Sequence, residues 1–180
     1  KIIIVDDLKD GRKFKNICDL DFEDYIDFED FISLVKNNSD LGNVKVIFHQ
    51  GACSKTTEWD GKYLMSNNYE YSKILFKWSQ VINAQFIYAS SASVYGFGKN
   101  GFKENIECEN PINPYAFSKF MFDRYLRNIL KNRNTNDHNQ IVSLRYFNVY
   151  GPRENHKDNM ASTIFHFHNQ IKNNNVCRLF

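Results

Sequence analysis

The sequence predicts an α/β fold, a doubly wound parallel sheet with helices on both faces. Three observations predict it. Short apolar runs alternate with stretches of helical periodicity along the chain, which calls for parallel pairing through right-handed crossovers. The first of these runs is continuously apolar, as strands buried on both faces are. The residues with chemistry to offer follow the carboxyl ends of the runs, where ligands bind in such sheets.

The first run covers 2–5 and closes on Asp6 and Asp7. Asp27 reads as the cap of a helix that carries Glu29 and Asp30 in its first turn and continues to Val35. A strand over 44–49 ends in Gln50-Gly51-Ala52-Cys53-Ser54. A long helix over 59–81 follows, with Tyr63, Leu64, Ile74, Leu75 and Trp78 among its apolar residues. The strand over 85–89 leads into Ser90 and Ser91, and Gly96 and Gly98 mark Tyr95 as loop. Asn113-Pro114 sets the start of a helix over 115–131, Asn as cap and Pro in the first turn. The Asn-rich stretch 132–139 reads as a polar loop, 141–147 as a strand and 161–172 as a helix. No internal repeat of the solenoid kind is present.

Composition narrows the function. A chain of 180 residues, 42% hydrophobic and 24% charged, is that of a soluble globular protein able to bury a core. A net charge of +2 speaks against nucleic acid or a membrane surface as partner. No run reaches the length of a membrane span, and no signal peptide is visible. Cys18, Cys53, Cys108 and Cys177 form no C-x-x-C pair. That predicts neither a metal site nor a disulfide framework and fits a reducing cytoplasm. The chain opens on Lys1, directly before a strand, and closes on an apolar run, so a piece of a longer protein is expected.

The stretch 90–119 carries the chemistry. Tyr115 and Lys119 lie one helical turn apart and can act on one bound molecule. A phenol is a poor base at neutral pH, and an adjacent ammonium is expected to lower its pKa. Ser91, at a strand end, would then hydrogen-bond a substrate hydroxyl whose proton Tyr115 removes. The same spacing recurs at Tyr69/Lys73 and Tyr95/Lys99, but only Tyr115 follows a strand ending in hydroxyls and sits just inside a helix start.

Cofactor groups follow from the fold. An acid closing the second strand of a Rossmann-like sheet binds the adenosine ribose. Asp6 holds that place if a first strand and its glycine-rich loop lie upstream; otherwise it is a turn residue ending a strand. Lys9, Arg12 and Lys13 suit a 2′-phosphate, or form a solvated basic loop. An acid together with a basic cluster points to NADP, with NAD tolerated. Gly51 and Ala52 allow the backbone to approach a cofactor closely.

With these residues assembled, the chain resembles the extended short-chain dehydrogenase/reductase group and, within it, the ADP-L-glycero-D-manno-heptose 6-epimerase family. The group's signature is 90–96, Ser-Ser-Ala-Ser-Val-Tyr-Gly, with 115–119, Tyr-Ala-Phe-Ser-Lys, and 145–152, Arg-Tyr-Phe-Asn-Val-Tyr-Gly-Pro. The narrower markers are 6–11, Asp-Asp-Leu-Lys-Asp-Gly; 49–54, His-Gln-Gly-Ala-Cys-Ser; 56–63, Thr-Thr-Glu-Trp-Asp-Gly-Lys-Tyr; 151–157, Gly-Pro-Arg-Glu-Asn-His-Lys; and 160–162, Met-Ala-Ser.

The resemblance implies epimerisation at C6 of ADP-D-glycero-D-manno-heptose by transient oxidation through tightly held NADP, supplying bacterial lipopolysaccharide heptose, in a cytoplasmic homo-oligomer. It implies Tyr115 as one acid/base and Lys157 as a second on the opposite face, Lys119 on the nicotinamide ribose and Ser91 on the reacting oxygen. Asp6, Asp7, Lys13, Gln50, Gly51, Ala52, Cys53, Ser54, Asn67, Val149, Lys119 and Lys157 match cofactor positions. Ser91, Asn148, Asn159 and His166 match substrate positions. Asp7 stands where the family has Asn, Phe28 where it has Lys, Gln50 for Glu and Asn159 for Ser. On this reading 1–180 is a partial dinucleotide-binding domain, with substrate-binding elements starting near 148. It lacks a first strand, glycine-rich loop and C-terminal substrate domain, and so would not turn over substrate by itself. The alternatives are another nucleotide-sugar epimerase of the group and a non-catalytic relic. A 4,6-dehydratase is disfavoured, because Ala92-Ser93 supplies no acid pair after the active-site hydroxyl.

Overall fold

A computed structural model describes residues 1–132 and 139–179. Most of the predicted polar loop, 133–138, therefore lies outside the described residues. The contacts gather into two units, Lys1–Phe28 with Asn148–Phe180 and, separately, Glu29–Phe147.

In the first unit β1 (Ile3–Asp6) pairs in parallel with β2 (Asp24–Asp27), Ile3 opposite Asp24 and Asp6 opposite Asp27. The sequence reading gave no strand at 24–27. Acids at both ends of this four-residue segment hide its apolar content, and pairing with β1 decides its conformation. The Tyr25 hydroxyl donates to the Asp6 carbonyl at 2.8 Å, pinning β2 to the end of β1. The helix α1 (Phe28–Lys36) starts immediately after Asp27.

The second unit is built on β3 (Val46–His49), β4 (Gln85–Ser91) and β5 (Ile141–Tyr146), all parallel with β4 central. Pairing runs from Val46 opposite Gln85 and from Phe86 opposite Ile141 to Ser91 opposite Tyr146. The predicted long helix is three consecutive segments: α2 (Gly61–Leu64), a π-helical stretch (Met65–Glu70) and α3 (Tyr71–Val81). It starts two residues later than the apolar pattern indicates, because Asp60 caps it by accepting the Tyr63 amide at 2.9 Å. Between β4 and β5 runs α4 (Pro114–Leu130), with Pro in the first turn and Asn113 accepting the Ala116 amide at 2.8 Å. In the first unit α5 (Thr163–Asn174) begins at the cap Ser162.

Alternation along β4 builds the core. Phe86, Tyr88 and Ser90 are buried on one face, where Phe86 meets Phe76 of α3 and Tyr88 meets Phe122 of α4 edge-on at 4.8 Å. Val35, Leu75, Trp78 and Leu126 complete this cluster. Tyr95, read from its glycines as loop, is buried at 2% exposure in a turn of 3₁₀ helix (Ala92–Tyr95) that continues β4. Gly96 closes that turn with φ 58°, and a Cβ there would run into the Asn110 carbonyl oxygen. No helix among the described residues is long and apolar enough to cross a membrane.

Candidate active site

In the second unit, the end of β4 and the first turns of α4 bring together three of the predicted residues. Ser91 Oγ accepts from the Ser93 amide at 3.2 Å and from the Ser93 hydroxyl at 2.9 Å. Its own proton is thereby left for the neighbouring Tyr115 phenol, whose pKa Ser91 acts to lower. Tyr115 is 8% exposed and Lys119 7%. Lys119 Nζ donates to the Ala89 carbonyl at 2.8 Å.

The expected depression of the Tyr115 pKa is not what this arrangement produces. Burial pushes the phenol up, the Ser91 hydrogen bond pulls it partly back, and Cys53 adds to the rise. Lys119 is directed to the Ala89 carbonyl, and burial lowers its own pKa to about 8 against the pull of Asp123 and Cys53. The centre therefore holds a neutral phenol, a hydroxyl beside it and a buried amine close to its titration point. Such a set can pass a proton to or from an alcohol.

Around it lies a network that sequence spacing did not reveal. Asp123, one turn beyond Lys119 and 4% exposed, accepts from the Tyr88 hydroxyl at 2.6 Å and the Ser90 hydroxyl at 2.8 Å. Arg145 of β5 adds Nε at 3.2 Å and Nη2 at 3.1 Å. Arg145 also pairs with Glu109, which Arg127 grips through both oxygens at 2.6 and 2.7 Å.

The loop after β3 is fixed by a residue of the π-helical stretch. Asn68, fully buried, accepts the Cys53 amide at 2.9 Å and donates to the Cys53 carbonyl and the Ser118 hydroxyl, each at 3.0 Å. Its neighbour Asn67, which the resemblance matches to a cofactor position, is half-buried; the amide that ties the loop to α4 belongs to Asn68. Its signal was present, since Leu64, Asn68 and Leu75 share one face and a polar residue on an apolar stripe needs partners. The chain of bonds continues from the Ser72 hydroxyl to the Asn68 carbonyl at 2.6 Å and from His49 Nε2, as donor, to Ser72 Oγ at 2.7 Å. Burial, then the Lys119 charge, lowers the His49 pKa to about 3, so its imidazole is neutral. Ahead of Cys53, Gln50 and Gly51 are exposed, and the position of a Cβ on Gly51 is open space. Ala52 is half-buried and Ser54 exposed. An accessible backbone here suits a cofactor that must come close to the chain.

The first unit holds the other candidates. Lys13 Nζ donates to Asp6 Oδ1 at 2.6 Å, to the Asp7 carbonyl, and reaches Asp7 Oδ1 at 3.3 Å. Burial works to lower the Lys13 pKa, but Asp6 and then Asp7 outweigh it, and the net shift is upward. Arg12 is bound by Asp10 and by Asp158, at 2.7 Å in each pair. Lys157 and Asn159 are exposed on a 3₁₀ turn (Asn155–Met160), Asn148 and Val149 are exposed in the segment after β5, and His166 is half-buried on α5. Glu154 organises the 151–162 segment by accepting the Gly151 amide at 3.0 Å and the Ser162 amide and hydroxyl at 2.6 and 2.9 Å.

The whole chain, 1–180, matches the model of the NAD dependent epimerase/dehydratase family. Among solved structures it is similar to the Helicobacter pylori ADP-L-glycero-D-manno-heptose-6-epimerase, with TM-score 0.79 and 31% identity over 96% of this chain and 55% of that one. A UDP-N-acetylglucosamine 4-epimerase from Methanobrevibacter ruminantium matches with TM-score 0.68 and 28% identity over 86% of this chain and 50% of that one. A UDP-glucuronic acid 4-epimerase from Bacillus cereus, solved with UDP-glucuronic acid and NAD, matches with TM-score 0.67 and 26% identity, covering 94% and 53%. The chain thus spans about half the length of the structures it matches.

Proposed function

The chain belongs to the NAD dependent epimerase/dehydratase family, and on that premise we propose that the intact protein converts ADP-D-glycero-D-manno-heptose to its L-glycero epimer at C6. The observation that carries this reading is the buried Tyr115 with Lys119 one turn along the same helix, beside Ser91 at the end of β4. The heptose substrate is supported by the Thr-Thr-Glu-Trp-Asp-Gly string at 56–61 and by the 31% identity to the Helicobacter enzyme.

Bound NADP supplies the hydride acceptor and donor. Tyr115 removes the proton of the C6 hydroxyl and Ser91 holds the reacting oxygen, so that a carbonyl forms transiently at C6. Inversion requires the second proton to be handled on the opposite face, and Lys157 is assigned to it. Lys119 binds the ribose hydroxyls next to the nicotinamide, Asp6 those of the adenosine, and the exposed backbone at Gly51 admits the dinucleotide. Asn148, Asn159 and His166 are assigned to the sugar nucleotide.

Proton NMR of the intact protein with ADP-D-glycero-D-manno-heptose in heavy water tests this. The expected result is the L-glycero epimer with no deuterium at C6, because the hydride returns to its own carbon. Deuterium at C6 would overturn the redox mechanism. The similarity to 4-epimerases of UDP-sugars favours a second reading, inversion at C4 of a UDP-sugar. Turnover of UDP-glucuronic acid or UDP-N-acetylglucosamine, with none of the heptose nucleotide, would establish it.

A further inference from the structure

Along α4, Tyr115, Lys119 and Asp123 recur every fourth residue and stand in one stripe. The end of β4 passes this stripe in the opposite sense and meets it group by group. Ser91 stands beside the Tyr115 phenol, the Ala89 carbonyl accepts Lys119 at 2.8 Å, and the Ser90 and Tyr88 hydroxyls bond the two oxygens of Asp123 at 2.8 and 2.6 Å. The lengths agree: eight helical residues rise about 12 Å and three strand residues about 10 Å.

Asp123 closes the far end of this ladder. The charged and titratable groups facing it are Tyr88 from β4, Arg145 from β5 and Lys119 on its own helix. Tyr88 is kept protonated well above its ordinary range, by burial first and then by the Asp123 charge, so it remains a donor. Behind Arg145 stands Glu109 with Arg127, which meets no residue of β4 in this set of bonds. The carboxylate thus fastens the strand to the helix one residue before Ser91.

We propose that Asp123 is a positioning residue of the active site, which holds the Ser91 hydroxyl on the Tyr115 phenol by fixing Tyr88 and Ser90 against α4. The inference rests on the proton-transfer roles proposed for Ser91 and Tyr115. A carboxylate is needed because each oxygen serves a different strand residue while one also takes Arg145. An amide at this place keeps the size but turns one acceptor into a donor aimed at a hydroxyl or a guanidinium.

The test compares Asp123→Asn with Glu109→Gln, which also loosens Arg145 without touching β4, both in the intact protein. Turnover and bound cofactor are measured, and the phenol of Tyr115 is titrated through its ¹³Cζ resonance, assigned by its loss in Tyr115→Phe. Asp123→Asn is expected to lower kcat about tenfold or more at nearly constant KM and cofactor content, since a displacement of an ångström in a catalytic group has effects of that order. The Tyr115 titration moves upward, because the Ser91 bond that holds it down is lost. Glu109→Gln is expected to lose comparable thermal stability while kcat stays within about twofold. If Asp123→Asn does not fold, Ser90→Ala removes a single rung and carries the same prediction at smaller size. An unchanged Tyr115 titration in the variants, or an equal fall in kcat for Glu109→Gln, overturns the proposal. The titration needs no substrate, so failure of the heptose reading and failure of this inference are distinguishable.

Discussion

Tyr115 is buried at 8% exposure, with Ser91 beside its phenol. Tyr115→Phe removes that oxygen and leaves the packing. Turnover of the intact protein is expected to fall by about 10² to 10⁴, the usual worth of a positioned acid/base, while bound nicotinamide, read by its absorbance, stays at the parent level. Release of the cofactor by this variant would make the phenol a structural group. On the proposed cofactor reading, a second residue, Asp7, bears on which dinucleotide binds. Two carboxylates and the single ammonium of Lys13 lie together at the end of β1, which leaves net negative charge where a 2′-phosphate would approach. Asp7→Asn removes one charge and releases part of Lys13. The affinity ratio for NADP over NAD, measured by calorimetry, is expected to rise about tenfold, the equivalent of about 1.4 kcal/mol. An unaltered ratio would mean that Lys13 does not face the phosphate.

The composite helix α2, π-helical stretch and α3 makes the loop after β3 a fixed part of the second unit. A π-helical turn adds a residue to the helical repeat, and Asn68 lies within this stretch with three hydrogen bonds to Cys53 and Ser118. Asn68→Ala leaves the half-buried Cys53 amide and carbonyl without these partners. The expected cost is about 2–4 kcal/mol, read from urea unfolding, and a change below about 0.5 kcal/mol would sink the assignment. This region also marks how far the sequence could be read. Apolar runs located β1, β3, β4 and β5 to within about two residues because burial of those side chains decides them. The cap at Asn113-Pro114 placed α4 and with it Tyr115 and Lys119. The strand Asp24–Asp27 escaped because its conformation comes from pairing with β1. The π-helical stretch escaped because it shares the apolar spacing of the helices on either side. Asp123, Arg145 and Glu109 escaped for another reason: each is an ordinary charged residue until the fold joins positions 22 and 36 apart in sequence. Direction of the Tyr115 shift was also hidden, since it depends on where Lys119 points.

The net charge of the molecule is small, so its response to pH is set by buried groups rather than by general repulsion. Two of them act in the same sense. His49, 7% exposed, has its pKa lowered from 6.5 to about 3, and Lys119, equally buried, from 10.5 to about 8. In both the folded state resists the proton that the unfolded chain accepts, so stability rises with pH inside each window. For His49 the stabilisation is fully present above pH 6.5 and is lost as pH falls toward 3, about 5 kcal/mol in all. For Lys119 the window runs from pH 8 to 10.5, and the charged amine costs about 3 kcal/mol below it. Stability measured by urea unfolding should therefore show two rising limbs separated by a plateau between about pH 6.5 and 8. His49→Asn, which keeps a polar partner for Ser72 but does not titrate, should flatten the acid limb and leave the alkaline one in place. An acid limb of equal slope in this variant would mean that the imidazole is not held neutral against Ser72, and the polar chain from β3 to Asn68 would lose its first member.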